Sequence, residues 1–74
     1  MKDGKIVRFQ KNVIEEVRGQ VVNFKGHDLI DIRVWVEAKD GSGAIATKKG
    51  IALSVEQLPE LKRLILALEK VVNK

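Results

Sequence analysis

The chain has 74 residues, a net charge of +4 and no cysteine, which excludes disulfides, thiolate zinc sites and cysteine nucleophiles. A single domain of this size buries only about 60% of the surface that its unfolded chain exposes. Self-association is therefore the expected source of additional buried area, because a lone histidine cannot build a histidine-rich metal site either.

The start of the chain is basic, and its cations outnumber the single acid Asp3; they are Lys2, Lys5, Arg8 and Lys11. Such a surplus favours an anionic partner. We assign residues 1–12 as an N-terminal basic segment, in which Ile6–Gln10 could form an additional strand, and residues 13–74 as the main domain. We find no run that could serve as a signal peptide and none of the roughly 20 apolar residues that cross a bilayer.

Two long strands are predicted next. Val13–Phe24 alternates between apolar and polar side chains, with Gly19 as a predicted bulge or bend. A turn signal at Lys25–Asp28 follows, and Leu29–Ala38 then alternates cleanly. The Asp-Gly pair within Lys39–Gly43 predicts the next hairpin, since glycine tolerates positive φ.

The alternation also assigns side chains to faces. Arg33 and Trp35 are two positions apart in one strand and therefore project from the same side. If the alternation of the preceding strand continues through its glycine, Arg18 and Phe24 lie on that side as well. The opposite side of both strands is aliphatic and must be covered.

The remaining elements are two short strands and a helix. Ala44–Lys49 and Gly50–Leu53 are predicted as separate strands, with a kink at the glycine. From Ser54 the period changes to 3.6, and Gln57 can complete a capping box. Pro59 shifts or bends the first turn. About 17 helical residues span about 26 Å, which is enough to lie across a four-stranded sheet.

The helix carries an apolar stripe, which Leu64 and Val71 widen. The residues spaced three and four apart along it are Leu58, Leu61, Ile65, Leu68 and Val72. One helix covers only part of a sheet whose strands are about 4.8 Å apart. We therefore expect the stripe to form the interface of a homodimer; the alternative is that it packs only on the sheet of its own chain.

Catalysis is not expected. His27 lies in a glycine-containing turn, and Asp28 and Asp31 point to opposite faces of a strand instead of forming a dyad. Ser42 lies between two glycines, but this segment lacks the lysine that a phosphate-binding loop requires. We therefore expect no enzymatic activity, no metal and no cofactor.

Flat rings between cations suit single-stranded nucleic acid, because unpaired bases stack on the rings and cations follow the phosphates. Phe24-Lys25, Arg33 with Trp35, and Lys48-Lys49 supply this combination. Each also has a purely structural interpretation. The aromatic residues can be packing residues, Arg33 can form a surface ion pair with Asp31, and the lysine pair can be a solvated edge.

Four short motifs follow one another along the chain: FKG at 24–26, LIDIR at 29–33, a basic pair and glycine at 48–50 before the strand IALS, and an acidic residue at the start of the helix. In this order and spacing they resemble the C-terminal domain of transcriptional positive cofactor four and its bacterial and phage relatives. The match covers about residues 13–72.

The resemblance implies an α+β fold, in which a curved four-stranded antiparallel sheet is followed by one C-terminal helix (ββββα), in a homodimer. It implies that residues 13–74 bind single-stranded DNA largely without sequence preference, with roles in transcription regulation as a coactivator and in replication or repair. The nucleic-acid-binding residues that we expect are Phe24, Lys25, Arg33, Trp35, Lys48 and Lys49, with Arg18 and Lys11 as lesser candidates.

This sequence also departs from the family pattern. Some relatives place the aromatic residue one position later, where this chain has Val36, and His27 stands where some have lysine. The Ser- and Lys-rich regulatory region of eukaryotic members is missing, which favours a bacterial or phage-type member. The protein would then be cytoplasmic and nucleoid-associated, or nuclear if it is eukaryotic. Two alternatives stay open: an RNA-binding domain, and a protein–protein module that recruits an acidic transcription partner.

Overall fold

The computed structural model describes residues 5–74, so the first four residues of the N-terminal basic segment lie outside the described part. The elements are β1 (Val7–Gln10), β2 (Glu15–Phe24), β3 (His27–Glu37) and β4 (Ala44–Ser54), then one 3₁₀ turn (Val55–Gln57) and α1 (Leu58–Val72). The strands form one sheet in the order β1-β2-β3-β4, and every neighbouring pair is antiparallel. The predicted ββββα fold is confirmed. Across residues 5–74, no helix is long and apolar enough to cross a membrane.

The hairpin between β2 and β3 is tighter than the turn signal indicates. Only Lys25 and Gly26 lie between the strands, with φ angles of 53° and 82°. Two consecutive positive φ angles are the mark of a type I′ turn, whose twist matches that of the flanking strands. This turn fixes the register of β2 and β3, from Phe24 opposite His27 to Glu15 opposite Val36.

The prediction of a bulge at Gly19 is wrong. The β2–β3 register runs through Gly19 without a shift, and Gly19 also pairs with Val7 on the other side. Pairing with β1 on one side and β3 on the other keeps β2 regular at this glycine. A Cβ atom at this position would meet Ile32 Cγ1 at 3.7 Å, which is ordinary contact, so neither a bend nor a close approach requires this glycine.

The prediction of two short strands after the second turn is also wrong, because Ala44–Ser54 forms one strand with an irregularity inside it. The pairing passes from Arg33 opposite Gly50 to Trp35 opposite Ala46, so three residues of β4 face one residue of β3. The Thr47 hydroxyl donates to the Val34 carbonyl at 2.7 Å. This hydrogen bond keeps the irregular segment joined to β3, which is why the strand continues.

Gly50 is required by a close approach. A Cβ atom there would lie 2.3 Å from Arg33 Cβ and 2.4 Å from the Ile32 carbonyl oxygen. Both distances are far below van der Waals contact, and one of the atoms is backbone that cannot rotate away. At the kink residue that the sequence indicates, β3 therefore leaves no room for a side chain on β4.

The register divides the sheet into two faces. One face, which we call the apolar face, consists of aliphatic side chains and one phenylalanine: Val7, Phe9, Val17, Val21, Ile30, Ile32, Val34, Val36, Ile45, Ile51 and Leu53. Within residues 5–74, only Val34 and Ala38 are buried hydrophobic residues. The isolated chain therefore has almost no closed core.

The helix begins as predicted but does not cover the sheet. The Ser54 N–H donates to Gln57 Oε1 at 3.3 Å, as the capping box requires, and Pro59 lies in the first turn of α1. No residue of α1, all of which is described, is buried, and Ile65, Leu68 and Val72 are 53%, 56% and 79% exposed. The alternative that the stripe packs only on the sheet of its own chain is therefore wrong, because the helix extends away from that sheet.

The resulting subunit is open. Its accessible surface is 6251 Å², whereas a compact monomer of this mass exposes about 4,600 Å². Its radius of gyration is 14.2 Å, against about 11 Å for a compact domain of this length. Both the apolar face, at Val7, Phe9, Ile45 and Ile51, and the apolar stripe of the helix expose large hydrophobic side chains.

Glu15 joins the start of β2 to two other parts of the chain. Its carboxylate accepts hydrogen bonds from Asn12 Nδ2 at 2.7 Å and Lys11 Nζ at 3.0 Å, and Lys49 Nζ of β4 lies at 3.6 Å. The hydrogen bonds from Asn12 and Lys11, aided by the charge of Lys49, lower the pKa of Glu15 from 4.5 to about 2. The ionised carboxylate therefore stabilises the fold.

We expect Gly50→Ala to destabilise the fold by about 1–3 kcal/mol, because the added methyl overlaps backbone atoms of β3. Gly19→Ala is the matched control, since it adds the same methyl to β2, on the other side of β3, where space exists. Denaturant unfolding of both variants measures the difference. Equal midpoints for the two variants would contradict the close approach at Gly50.

We expect part of the acid sensitivity of the fold to come from Glu15. A carboxyl whose folded pKa is lowered contributes stability above its unfolded pKa near 4.5, and this contribution is lost as the pH falls towards 2. Glu15→Gln should lower the melting temperature at neutral pH and flatten its fall between about pH 5 and 2. Glu69→Gln, an exposed position on the helix, is the control; an unchanged acid profile in Glu15→Gln would exclude this role.

Candidate nucleic-acid interface

The face of the sheet opposite the apolar face carries most of the predicted site residues. Arg18 lies directly opposite Arg33, Trp35 lies opposite Glu16, and Phe24 lies opposite His27. Arg18, Phe24, Arg33 and Trp35 thus share one face, which we call the polar face, as the alternation predicts. The indole of Trp35 lies on this face and not beneath the helix.

Three arginines form a row across the polar face. Arg8 of β1 lies opposite Arg18 of β2, which lies opposite Arg33 of β3. Like charges placed directly opposite each other destabilise a sheet unless other groups neutralise them. Two carboxylates do so here. Glu16 Oε1 lies 2.5 Å from Arg18 Nε, and Glu16 Oε2 lies 3.9 Å from Arg8 Nε. Asp31 Oδ1 lies 2.7 Å from Arg33 Nη2.

Arg33 is held in one orientation by two groups. Its Nε and Nη2 atoms donate to the Asp31 carboxylate at 2.7–3.1 Å, and its Nη1 donates to the Thr47 carbonyl at 3.0 Å. The hydrogen bonds to Asp31 raise the pKa of the guanidinium above its ordinary value. Its side chain is only 23% exposed. The hydrogen bond to Thr47 joins the irregular segment of β4 to β3. The ion pair with Asp31 agrees with the structural interpretation of Arg33 that the sequence left open.

Arg18 covers the ring of Trp35. The guanidinium carbon lies 4.6 Å from the ring centroid, which is a cation–π contact. Arg18 is in turn held by the Glu16 carboxylate and is 16% exposed. The buried Nε1 atom of Trp35 has no hydrogen-bond partner among the described residues. The guanidinium of Arg18 thus lies over the Trp35 ring, and the Glu16 carboxylate holds the guanidinium there.

Phe24 is the second aromatic group of the polar face and lies at its other end. It is 58% exposed, and Lys25 Nζ lies 5.3 Å from its ring centroid. Its partner His27 is eight residues from Trp35 along β3, a separation of about 26 Å at 3.3 Å per residue. The two rings therefore mark the ends of an extended surface and do not form one compact pocket.

The other predicted cations lie elsewhere. Lys11 and Lys49 both contact Glu15, which by its register position lies on the side of Val36 in the apolar face. The structure brings these two lysines together with each other and not with the arginine row. Lys48, in the irregular segment of β4, is exposed and makes no ion pair within the described part of the chain.

Two members of the polar face were missed by the sequence analysis. Arg8 was counted only as part of a basic segment, and Glu16 was not considered as a partner for arginine. The signal for Arg8 was present in the alternation of Val7, Arg8, Phe9 and Gln10, which matches a strand with its polar side on the polar face. The role of Glu16 depends on the register between strands, which a single strand pattern does not contain.

Comparison with known proteins agrees with this architecture. The family described as Transcriptional Coactivator p15 (PC4) matches residues 11–64. Among curated proteins, none matches significantly. Two crystal forms of BPSL1147, a PC4 homolog from Burkholderia pseudomallei K96243, are 25% identical to this chain, with TM-scores of 0.78 and 0.77. The orthorhombic form matches over 89% of both chains, and the tetragonal form over 90% of this chain and 98% of the homolog.

A more distant likeness is found in a bacteriophage T5 protein. That protein is a homolog of the eukaryotic transcription coactivator PC4 and is implicated in recombination-dependent DNA replication. It is 22% identical to this chain, with a TM-score of 0.69 over 96% of this chain and 78% of its own. This likeness supports the fold. Because the family match extends over more than half of the sequence, the chain belongs to the Transcriptional Coactivator p15 (PC4) family.

Proposed function

We propose that the protein is a non-enzymatic, homodimeric single-stranded-DNA-binding protein with little sequence preference, which acts as a coactivator in transcription and in replication or repair. Membership of the PC4 family supports DNA binding. The observation that carries the proposal is the arginine row of Arg8, Arg18 and Arg33 on the same face as Trp35 and Phe24. A DNA partner implies a nucleoid-associated protein in a bacterium or phage-infected cell, or a nuclear one in a eukaryote.

The aromatic groups favour a single strand over a duplex. Bases in a duplex hide their faces, whereas unpaired bases stack on aromatic rings and on arginine guanidinium planes. Phe24 offers a half-exposed ring. At the other end, one base stacks on the Arg18 guanidinium, which Trp35 supports from below. The Glu16 carboxylate keeps this guanidinium in position before DNA arrives.

The phosphate contacts come from cations of two kinds. Arg18 and Arg33 are held by carboxylates, so they orient the bound strand more than they add net positive charge. The exposed cations Lys25 and Lys48 contribute unpaired charge. Lys11 and Lys49 add charge at the margin of the sheet, where Glu15 offsets part of it. Because few cations are unneutralised, we expect a shallow dependence of affinity on salt.

The homodimer is supported by the two uncovered apolar surfaces of the chain. Each subunit exposes about 1,650 Å² more than a compact monomer, and obligate dimers bury about 2,000–5,000 Å² in total. The helix stripe proposed as the interface consists of Leu58, Leu61, Ile65, Leu68 and Val72. Covering this stripe and the apolar face supplies the core that a single chain lacks.

For DNA binding, we expect Trp35→Ala to weaken the affinity for oligo-dT by about 1–3 kcal/mol, because the stacking unit is lost. Phe24→Leu should weaken it as well, since leucine keeps the apolar volume but not the flat ring. Phe9→Leu is the matched control: Phe9 is 63% exposed against 58% for Phe24 but belongs to the apolar face. Fluorescence titration at two salt concentrations measures all three variants.

The same titration includes duplex DNA and RNA as competitors. Equal affinity for duplex and single strand would contradict stacking, and tighter binding of RNA would favour the RNA-binding alternative. Losses of equal size in Phe24→Leu and Phe9→Leu would show that the polar face has no special part in binding.

For the dimer, we expect a solution mass of twice the chain mass, and Leu68→Glu should shift it to the monomer or unfold the protein, because it places a charge in the stripe. Leu66→Glu is the matched control. Both leucines are 56% exposed in the single chain, but Leu66 lies outside the stripe. Mass measurement and circular dichroism distinguish dissociation from unfolding. A monomeric wild type, or equal effects of the two changes, would overturn the proposed interface.

A further inference from the structure

Among the described residues, the strands of the polar face carry one carboxylate that pairs with no cation. Glu16 and Asp31 hold arginines, whereas Glu37, at the end of β3, makes no ion pair within residues 5–74. Glu37 is exposed and lies two residues after Trp35, so the two side chains project from the same side about 7 Å apart. Because a carboxylate repels phosphates, phosphate binding does not account for its place on this face.

Glu37 lines a cleft at the end of the sheet where Trp35 lies. The cleft has a volume of about 690 Å³, which is within the range of about 300–1,000 Å³ that is typical of small-ligand sites. Arg18 and Trp35 line it as well, and Val13 and Ile14 add apolar side chains. The cleft therefore combines a stacking surface, an apolar wall and a carboxylate acceptor.

The loop between β1 and β2 holds the apolar wall in place. Asn12 Oδ1 accepts hydrogen bonds from the N–H groups of Ile14 and Glu15 at 3.0 and 2.9 Å, and Gln10 Nε2 donates to the Asn12 carbonyl at 2.7 Å. Val13 and Ile14 are nevertheless 95% and 71% exposed. The backbone of the wall is thus ordered, while its apolar side chains are open to contact with a flat ring.

Hydrogen-bonding groups select the base that fits this cleft. A carboxylate only accepts hydrogen bonds, and its two oxygens accept two side by side. Guanine presents two adjacent donors, N1–H and the N2 amino group, on its Watson–Crick edge, whereas each other base presents a single donor group there. Lys39 also lines the cleft and makes no ion pair within residues 5–74, so it supplies a donor for guanine O6 or for the adjacent phosphate.

We propose that this cleft, which we call the Trp35 cleft, binds one unpaired guanine of the DNA strand. The base stacks on the Arg18 guanidinium, and the Glu37 carboxylate accepts hydrogen bonds from its N1–H and N2 amino groups. This inference rests on the proposed single-strand binding and adds a preference at one position of the strand. The other contacts go to phosphates and ring faces, which do not read sequence, so the rest of the strand is bound without base preference.

The test compares fluorescein-labelled oligonucleotides of about 20 nucleotides by anisotropy titration. The reference is oligo-dT, and the others carry deoxyguanosine, deoxyadenosine or deoxycytidine at every fourth position. Two further oligonucleotides carry deoxyinosine, which lacks the N2 amino group, or 7-deazadeoxyguanosine, which keeps both donors and loses only N7. Each is measured with the wild type, with Glu37→Gln and with Glu69→Gln, the control that removes the same charge at an exposed position of the helix.

We expect the wild type to bind the guanine oligonucleotide about fivefold or more tightly than oligo-dT, and the 7-deazaguanine oligonucleotide equally tightly. Deoxyinosine, deoxycytidine and deoxyadenosine should give little gain, because each offers the carboxylate a single donor group. Glu37→Gln should remove most of the gain from guanine without weakening oligo-dT binding, since its amide presents only one acceptor oxygen. Glu69→Gln should keep the full gain.

The proposal is wrong if guanine gives no gain over thymine, if deoxyinosine binds as tightly as deoxyguanosine, or if Glu37→Gln keeps the full preference. Displacement of the labelled strand by free deoxyguanosine monophosphate as effectively as by the unlabelled guanine oligonucleotide would assign the cleft to a free nucleotide instead. In each of these cases oligo-dT still binds, so the single-strand proposal stands. If no oligonucleotide binds, the DNA-binding proposal fails and this inference fails with it.

Discussion

The structure depends on one constraint: a single four-stranded sheet with one helix cannot cover its own apolar face. Only two hydrophobic residues among residues 5–74 are buried, and the helix extends away from the sheet. Hydrophobic burial is the main favourable term in folding, so in the homodimer that we propose most of the stabilising burial comes from contacts between chains. On that proposal, folding and association are one process and stability depends on concentration.

On the polar face, in contrast, Arg18 and Arg33 are already fixed within the chain itself before any ligand binds. Glu16 and Asp31 hold the arginines in place by short, charge-assisted hydrogen bonds. Neutralisation lowers the net attraction for phosphate, but it removes the entropy cost of ordering long side chains on binding. For the single-strand binding that we propose, this arrangement favours a defined path of the strand over a high electrostatic affinity.

The sequence predicted those features that depend on local patterns. The alternation in β2 and β3 placed Arg18, Phe24, Arg33 and Trp35 on one face, and the capping residues with Pro59 located the start of the helix. Features that depend on contacts between distant residues were not predictable. The continuity of β4 depends on the hydrogen bond from Thr47 to Val34, and helical periodicity does not reveal which surface covers the stripe.

Trp35 is the only tryptophan, and the chain contains no tyrosine. All intrinsic indole emission therefore originates from one ring, whose immediate neighbour is the guanidinium of Arg18. The chain thus contains its own optical reporter, and a change of that single contact alters the whole signal. Movements at the centre of the polar face can be followed in the unlabelled protein.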